Sequence, residues 1–249
     1  MIYYKNSKEI EIMAEAGKIA AAALKFVLKK VKPGVSTLEL DKTAEDLIIK
    51  SGGEPSFKKV RGYKYSICTT VNEEVVHGLP SDRVLQNGDI VGVDLGAYFQ
   101  GYHSDVAETI PVGEMKNEKV LTFLKTGKEA LKDAIREAKT GLHIGDISFA
   151  IQTRVEGAGF GVVRNLVGHG IGKALHEDPL VPGFGKRGEG PCLREGMVLA
   201  IEVIYNMGSP KVLLREDGWT IKTADKSLSG LFERTVAVRN ERPLILTTL

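Results

Sequence analysis

The sequence predicts an α+β fold in which pairs of helices alternate with short strands. Three observations support this prediction. Apolar residues recur at helical spacing in four segments, and short β-branched runs bounded by turn residues follow each pair of these segments. The order helix, turn, helix, glycine, strands then occurs twice along the chain. This weak repeat lies in the pattern rather than in residue identity, and it indicates two related halves that meet at a shared site.

The first pair of helices has clear start and stop signals. Asn6 is followed three residues later by a glutamate, and apolar residues then recur at helical spacing until Lys-Pro-Gly at 32–34. Ser36 has capping-box spacing to the glutamate three residues later, and the pattern that follows it stops at the glycines 52–53. We therefore expect one helix after Asn6 and a second after Ser36.

The remaining elements follow in the same order. The second pair of helical patterns is separated by a basic, glycine-bearing turn at 139–141. His77-Gly78 closes one stretch of strands, and His169-Gly170 closes the corresponding one. The predicted helices of this pair cover 118–138 and 147–157, and the predicted strands cover 66–71, 89–93, 109–112, 162–166, 197–204 and 235–238.

The composition is that of an ordinary globular protein. Hydrophobic residues make up 43% of the chain and charged residues 27%, with a net charge of +2. Basic and acidic residues are interleaved, so the charge pattern predicts neither a specific nucleic-acid partner nor a membrane surface as a partner. No low-complexity linker divides the chain. We expect a single catalytic domain over 1–249, with two related halves at about 5–112 and 113–240.

The sequence also predicts the cellular compartment. Cys68 and Cys192 are far apart and fit neither a disulfide framework nor a paired zinc site, which favours a reducing compartment. The first residues, MIYYKNSKEIEIM, carry acids where a signal peptide needs an apolar core. No apolar run reaches the roughly 18 residues of a membrane span. We expect a cytoplasmic protein.

Four carboxylates occupy unusual positions in apolar, strand-like runs. Asp94 ends the run IVGVD, and Asp105 follows beyond a turn. Glu202 interrupts MVLAIEVIY, and Glu233 lies in LFERTVAV. Burying an unpaired carboxylate costs on the order of several kcal/mol, and neighbouring carboxylates also repel each other. Glu233 could pair with the adjacent Arg234, although neighbours on a strand point to opposite faces. Two divalent cations would instead balance all four negative charges.

The segment VGHGIGKALHEDP places His169 and His176 seven positions apart among glycines. Glycines at 168, 170 and 172 each disfavour a helix there by about 1 kcal/mol. In an extended segment this odd spacing sends the two side chains to opposite faces, unless a turn intervenes. We therefore expect the two histidines to have separate roles. His103 and His143 lie in predicted turns, and we expect both at the surface.

These residues and their surrounding motifs resemble a known family. Asp94 and Asp105 with ten residues between them, then His169, Glu202 and Glu233, accompanied by GHGIG, HEDP, GMVLAIE and EDGW, resemble type I methionine aminopeptidases. These are members of the pita-bread family of dinuclear metallohydrolases. The resemblance extends from about residue 5 to residue 240. It implies a curved, mostly antiparallel sheet, with two helix pairs on the outer face and the metals at the centre of the inner face.

The resemblance implies a metal-binding role for each of five residues. Asp94 would bind one metal ion, and Asp105 and Glu233 would bridge two. His169 and Glu202 would bind the second ion. The implied cofactors are two divalent ions, with cobalt, manganese, iron, zinc and nickel as candidates.

The resemblance also implies the reaction. A metal-bridged hydroxide would attack the peptide carbonyl, and Glu202 would pass a proton to the departing amine. His176 would touch the scissile carbonyl, and His77 would lie near the amino end of the substrate. The methionine pocket would be lined by Tyr63, Cys68 and Trp219. The implied activity is removal of the initiator methionine from nascent polypeptides, at the ribosome, with a small second residue and a monomeric enzyme.

Four positions depart from the expected family pattern. Lys59-Val60 stands where relatives often have Gly-Tyr, and Leu175 stands where they have phenylalanine. Val203-Ile204 replaces Pro-Met after the glutamate, and Arg234 replaces a histidine. Two alternatives remain open. One is a proline-directed aminopeptidase of the same fold, whose relatives usually carry a further amino-terminal domain, and the other is a non-catalytic pita-bread binding module.

Overall fold

Four helices and thirteen strands build the molecule. The computed structural model describes residues 1–249. The helices are α1 (Ser7–Lys30), α2 (Thr37–Lys50), α3 (Glu118–Arg136) and α4 (Ile144–Gly157). The strands are β1 (Glu54–Pro55), β2 (Ile67–Val71), β3 (Glu74–Val76), β4 (Ile90–Phe99), β5 (Tyr102–Pro111), β6 (Gly161–Val162), β7 (Val167–Gly170), β8 (Glu177–Pro182), β9 (Val198–Asn206), β10 (Val212–Leu214), β11 (Ile221–Thr223), β12 (Ser229–Ala237) and β13 (Leu244–Ile245).

Side chains cap the first turns of α1 and α2. Asn6 and Ser36 each form a capping box with the glutamate three residues later, as the sequence predicts. Helix α4 begins at Ile144, three residues before the predicted start at 147. The carboxylate of Asp146 accepts a hydrogen bond from the backbone N–H of His143 (2.9 Å) and so stabilises this earlier turn. None of the helices is long and apolar enough to span a membrane.

Ten strands form one antiparallel sheet. Its main order is β1-β4-β5-β12-β9-β7-β8, with β2 on β4, β6 on β9 and β13 on β12. A smaller sheet has the order β10-β11-β3. Strands β5 and β12 pair at the middle of the large sheet, where Ala107 lies opposite Glu233. Strands from the two sequence halves therefore share one sheet.

The central hairpin is much longer than the sequence pattern predicts. Strands were expected at 89–93 and 109–112, but β4 and β5 pair continuously from Ile90 opposite Pro111 to Phe99 opposite Tyr102. Gln100 and Gly101 make the turn, both with positive φ. The intervening residues include glycine, aspartate and serine, which have weak strand propensity. Ladder pairing along the hairpin, rather than local propensity, extends these strands.

The second half shows two further differences from the prediction. The expected strand at 162–166 is mostly absent: only Val162 lies in a strand, at the end of β6, and β7 begins after the predicted range, at Val167. The expected strand at 235–238 is the end of the longer β12. In both places the pairing with β9 decides the strand boundaries, because Val162 pairs with Tyr205 at the end of β6, and β12 pairs with β9 continuously from Ser229 to Ala237.

Both helix pairs pack on the same face of the large sheet. Alternate residues of β4 join the apolar cluster under α1 and α2, and alternate residues of β9 join the cluster under α3 and α4. The register of β5 and β12 places Val106 opposite Arg234 on this helix-covered face. Residues such as Ala107 and Glu233 therefore project from the opposite face. The expected outer position of both helix pairs is confirmed.

Candidate functional site

Strand register gathers the four carboxylates on the face of the sheet away from the helices. Ala107 of β5 lies opposite Asp94 on one side and opposite Glu233 on the other. Glu202 of β9 lies directly opposite Glu233. Asp105 is two residues from Ala107, so its side chain emerges on the same face. Residues that are distant in sequence thus meet because three strand pairings align them.

His169 completes this cluster. Its Nε2 lies 3.8 Å from Oε1 of Glu202, and its Nδ1 lies 2.8 Å from the carbonyl oxygen of Gly170. The Nδ1–H therefore donates to the backbone, which leaves the Nε2 lone pair directed at the carboxylates. One ligand atom each from Asp105, His169 and Glu233 lie within 4.8 Å of one another, and all three residues are buried.

No lysine or arginine neutralises the carboxylates. Arg234 instead projects from the helix-covered face, where it donates to Oε2 of Glu108 (2.8 Å) and to the carbonyl oxygen of Ala107 (3.0 Å). The alternative that Glu233 pairs with Arg234 is therefore wrong. Oδ1 of Asp94 and Oε1 of Glu233 are buried without any hydrogen-bond partner. Such oxygens are costly in a protein interior unless a cation or a proton reaches them.

Burial shifts the protonation of the whole cluster. Burial and the neighbouring carboxylates raise the pKa values of Asp94 and Glu233 well above those of ordinary carboxyl groups. Glu202 has its pKa raised for the same two reasons, and burial raises the pKa of Asp105 to about 7. Burial and nearby His176 lower the pKa of His169 to about 4, so its imidazole is neutral and able to act as a ligand. The donor set, carboxylates and a neutral imidazole, fits a divalent transition metal.

Two further histidines lie at this cluster. The rings of His169 and His176 are in edge-to-face contact, with centroids 4.4 Å apart. The chain turns between β7 and β8, so the opposite-face geometry of an extended segment does not apply to this pair. His77 has a left-handed backbone with φ of 57°, which is uncommon outside glycine. Burial and His176 lower the pKa of His77, and burial lowers the pKa of His176.

The glycines around His169 are required by close strand packing. A Cβ atom at Gly170 would lie 2.1 Å from the carbonyl oxygen of Asp178, and one at Gly168 would lie 2.4 Å from that of Ala200. Any side chain at either position would therefore push the neighbouring strand away. The glycines permit the close approach that places His169 against Glu202.

A small cavity of about 140 Å³ adjoins the carboxylates. The predicted pocket residues Tyr63, Cys68 and Trp219 all line it. The rings of Tyr63 and Trp219 are in edge contact, with centroids 5.0 Å apart. The Tyr63 hydroxyl donates to the carbonyl oxygen of Ile67 (2.7 Å) and lies 3.1 Å from Sγ of Cys68. Burial raises the pKa of the Cys68 thiol, so this group is neutral.

Comparison with known proteins identifies the family. The model of metallopeptidase family M24 matches residues 11–244. The chain belongs to metallopeptidase family M24. It is 47% identical over 249 residues to a methionine aminopeptidase of Clostridium perfringens (strain 13 / Type A), with 100% of both chains covered. The expected resemblance is confirmed.

Solved structures of M24 relatives have the same fold. The structure of a methionine aminopeptidase from Thermotoga maritima has a TM-score of 0.98 and 44% identity, with 100% of both chains covered. A prolidase from Pyrococcus furiosus has a TM-score of 0.81 and 26% identity, and the match covers 99% of this chain and 65% of the prolidase. The pita-bread fold is thereby confirmed. Membership in this metallopeptidase family implies the use of divalent metal, and the carboxylate cluster provides suitable ligands.

Two of the departures from the expected M24 pattern also line the small cavity. Val60 and Leu175 both contribute to its wall. Phe57, which the sequence did not single out, lines the same cavity and is in edge contact with Tyr63. No local signal identifies Phe57, because it lies in a short turn whose position depends on the neighbouring strands.

The expectation of a surface position for His103 is wrong. This residue lies in β5, is 5% exposed, and has its Nδ1 2.9 Å from Oγ of Ser56. Burial and nearby Lys59 lower its pKa to about 4, so the ring is neutral. His143 is partly exposed and precedes the first turn of α4. Neither histidine lines the small cavity.

Proposed function

We propose that this M24 metallopeptidase removes the amino-terminal methionine from newly made polypeptides. The observation that carries the proposal is the unneutralised buried cluster of four carboxylates and His169, which opens directly into a small cavity walled by Tyr63 and Trp219. A short, unbranched, apolar side chain fits such a cavity. The relatives named methionine aminopeptidases match the full length of the chain, which supports this choice of substrate.

We assign five residues as ligands of two divalent ions. Asp94 would hold one ion and His169 the other, with Glu202 on the same side as His169. Asp105 and Glu233 would bridge the pair. Two divalent charges balance the four carboxylates and provide partners for the orphaned oxygens of Asp94 and Glu233. When bound, such ions lower the pKa of water to near neutral and polarise a carbonyl group.

Three side chains would transfer the proton, stabilise the developing negative charge and position the substrate. Glu202, with its raised pKa, would accept a proton and transfer it to the departing amine. His176 would donate a hydrogen bond to the carbonyl oxygen as negative charge develops there. His77 lies in the wall shared by the small cavity and a larger outer groove of about 980 Å³, where the free amine of the substrate would enter.

The remaining assignments concern substrate choice and setting. A small residue after the methionine is expected, because the histidines His77, His169 and His176 crowd the junction between cavity and groove. The outer groove would accept the following residues of a nascent polypeptide emerging at the ribosome. The enzyme would act in the cytoplasm as a monomer, without a specific nucleic-acid or membrane partner.

The proposal is tested with peptides and defined metals. The protein is stripped of metal, reloaded with each candidate ion, and assayed against Met-Ala-Ser and a Gly-Pro peptide. We expect hydrolysis of Met-Ala-Ser alone, at two bound ions per chain. Cleavage of the Gly-Pro peptide instead would indicate a proline-directed enzyme, and tight metal binding without turnover of either would indicate a binding module. Anomalous scattering from crystals grown without added metal would identify the resident ions.

A further inference from the structure

A buried ion pair adjoins the loop between β7 and β8 (residues 171–176), which carries His176. Nζ of Lys5 lies 2.6 Å from Oε2 of Glu177, and the two side chains are only 4% and 6% exposed. In no other ion pair of the molecule are both side chains less than a tenth exposed; the pair of Arg234 with Glu108, for example, has 14% and 8%. Burying two opposite charges costs free energy unless close contact and further hydrogen bonds compensate for the lost water. A buried ion pair next to a candidate catalytic residue therefore suggests that the pair has a role at the site.

Glu177 joins the loop to this ion pair. One carboxylate oxygen accepts from the backbone N–H of Ala174 (3.1 Å), and the other accepts from Lys5. The loop is also held at its start, where the carbonyl oxygen of Gly172 accepts from the N–H of His103 (2.8 Å). Glu177 therefore fixes the end of the loop immediately beside His176.

His176 depends on this backbone support more than its neighbour does. The ring of His169 is oriented by a hydrogen bond from Nδ1 to the carbonyl oxygen of Gly170. The His176 imidazole has no hydrogen bond to the protein, and it contacts the His169 ring only edge to face. Its position is therefore set by the loop rather than by a polar contact of its own ring.

Lys5 is itself held firmly. Its backbone N–H donates to the carbonyl oxygen of Gly196 (2.7 Å). A Cβ atom at Gly172 would lie 2.5 Å from Cε of Lys5 and 2.8 Å from Oε1 of Glu177, so the loop packs directly on the ion pair. This close contact couples the ion pair to the backbone at the start of the loop.

We propose that Lys5 is a positioning residue, which acts through Glu177 to hold the His176 imidazole at the substrate carbonyl. The inference rests on the proposed function, since it takes the carbonyl contact of His176 from there. Lys5 and Glu177 lie at the wall of the outer groove, and loss of the lysine leaves the almost fully buried Glu177 carboxylate without its cation. The carboxylate then gains by turning toward the water in the groove, which releases its hold on the loop at Ala174. A displacement of about 1 Å at a reacting group costs on the order of a hundredfold in rate.

The test is a double-mutant cycle between Lys5→Met and His176→Ala. We expect Lys5→Met to lower kcat for Met-Ala-Ser about tenfold to a hundredfold, with KM and metal affinity changed by less than about twofold. In the His176→Ala background the same change should lower kcat by less than about twofold. Lys18→Met is the matched control, because its ion pair with Glu15 is exposed and should leave kcat unchanged. Equal effects of Lys5→Met in both backgrounds, or no effect in either, would overturn the proposal.

Two further measurements keep the test independent of folding and of the proposed substrate. Glu177→Gln retains an oxygen for Ala174 but loses the charge, and it should show the same dependence on His176 if Lys5→Met does not fold. Proton NMR of the metal-free protein should show a shifted His176 ring signal in Lys5→Met and an unshifted His143 signal. An unmoved His176 signal would refute the positioning role. If the native protein does not cleave methionyl peptides, the proposed function fails, whereas the NMR result still decides this inference.

Discussion

Glu202 and Glu233 lie directly opposite each other on the neighbouring strands β9 and β12. Like charges at opposed positions destabilise a sheet, and here Glu233 is buried and the Glu202 side chain is only 13% exposed. The fold therefore places an unfavourable electrostatic arrangement at the centre of its sheet. Protons relieve this repulsion in the metal-free protein, and divalent cations relieve it in the proposed active form. This relationship underlies the predictions for Asp105→Asn and for the pH dependence of the metal-free protein.

Asp105→Asn should abolish activity, because it removes a carboxylate proposed to bridge the two ions. A loss of about 1000-fold or more in kcat/KM is expected, since bridging charge contributes several kcal/mol to the reaction. The metal-free variant should melt at a higher temperature than the metal-free native protein at pH 8, because a buried titrating carboxyl has been replaced by a neutral amide. Peptide assays and thermal melts measure both effects. Activity near the native level would contradict the bridging role.

His176→Ala should leave metal binding intact and lower turnover. The ring contacts His169 but is assigned no metal, so its loss removes only a hydrogen bond to developing charge. We expect a fall in kcat of about 100-fold to 1000-fold. Calorimetric titration of the metal-free variant should give native stoichiometry. A site that no longer retains metal would show that the division of roles between the two histidines is wrong.

The metal-free protein should lose stability as the pH rises through 7, from about 6.5 to about 7.5. Burial raises the folded-state pKa of Asp105 to about 7, and burial with mutual repulsion raises the pKa of the other three carboxyls well above normal. In this range the carboxyls of the unfolded chain are ionised, so the folded chain binds more of the carboxyl protons, and their contribution to stability decreases with pH. Unfolding by denaturant at several pH values measures the slope. Saturating metal should flatten the slope, and metal affinity should increase over the same range.

Trp219→Ala should weaken substrate binding more than catalysis. The indole walls the small cavity against Tyr63, and its removal exposes the proposed methionine side chain to water. Loss of this contact predicts a rise in KM of about tenfold, with kcat changed little. Kinetics with Met-Ala-Ser give both constants, and unchanged metal affinity serves as the control. A selective fall in kcat would place Trp219 in the chemistry rather than in the pocket wall.

His103→Gln should reduce the sensitivity of the fold to acid. Burial lowers the folded-state pKa of His103 to about 4, below the ordinary value of 6.5. The neutral ring therefore stabilises the fold above pH 6.5, and this contribution is lost as the pH falls toward 4. The variant should show a shallower loss of stability across that window. His143→Gln, at a partly exposed histidine, is the matched control, and equal slopes for all three proteins would contradict the prediction.

Local patterns anticipated the helices better than the strands. Asn6 and Ser36 form the capping boxes that their spacing to glutamate predicts, because a cap depends on residues three positions apart. The hairpin of β4 and β5 extends well beyond its predicted strands, because pairing between them compensates for weak local propensity. Helix signals are local, whereas strand boundaries depend on a partner elsewhere in the chain.

The candidate ligands could be named from the sequence, but their arrangement could not. Asp94, Glu202 and Glu233 are conspicuous because carboxylates rarely interrupt apolar strand-like runs. Their convergence depends on which strands pair and in what register, and a shift of one residue would move a side chain to the other face. The burial of His103 and the ion pair between Lys5 and Glu177 have no local signal, since each requires a contact made only by folding.

The sequence by itself determined the order of the four helices, the five candidate ligands and the family resemblance. These depend on residue type and short spacing, which the chain carries before it folds. Tertiary structure alone decided that Arg234 faces away from Glu233, that three histidines surround one junction, and that a lysine near the start of the chain supports the loop of His176. Register and burial are properties of contacts between distant residues, and no local pattern encodes them.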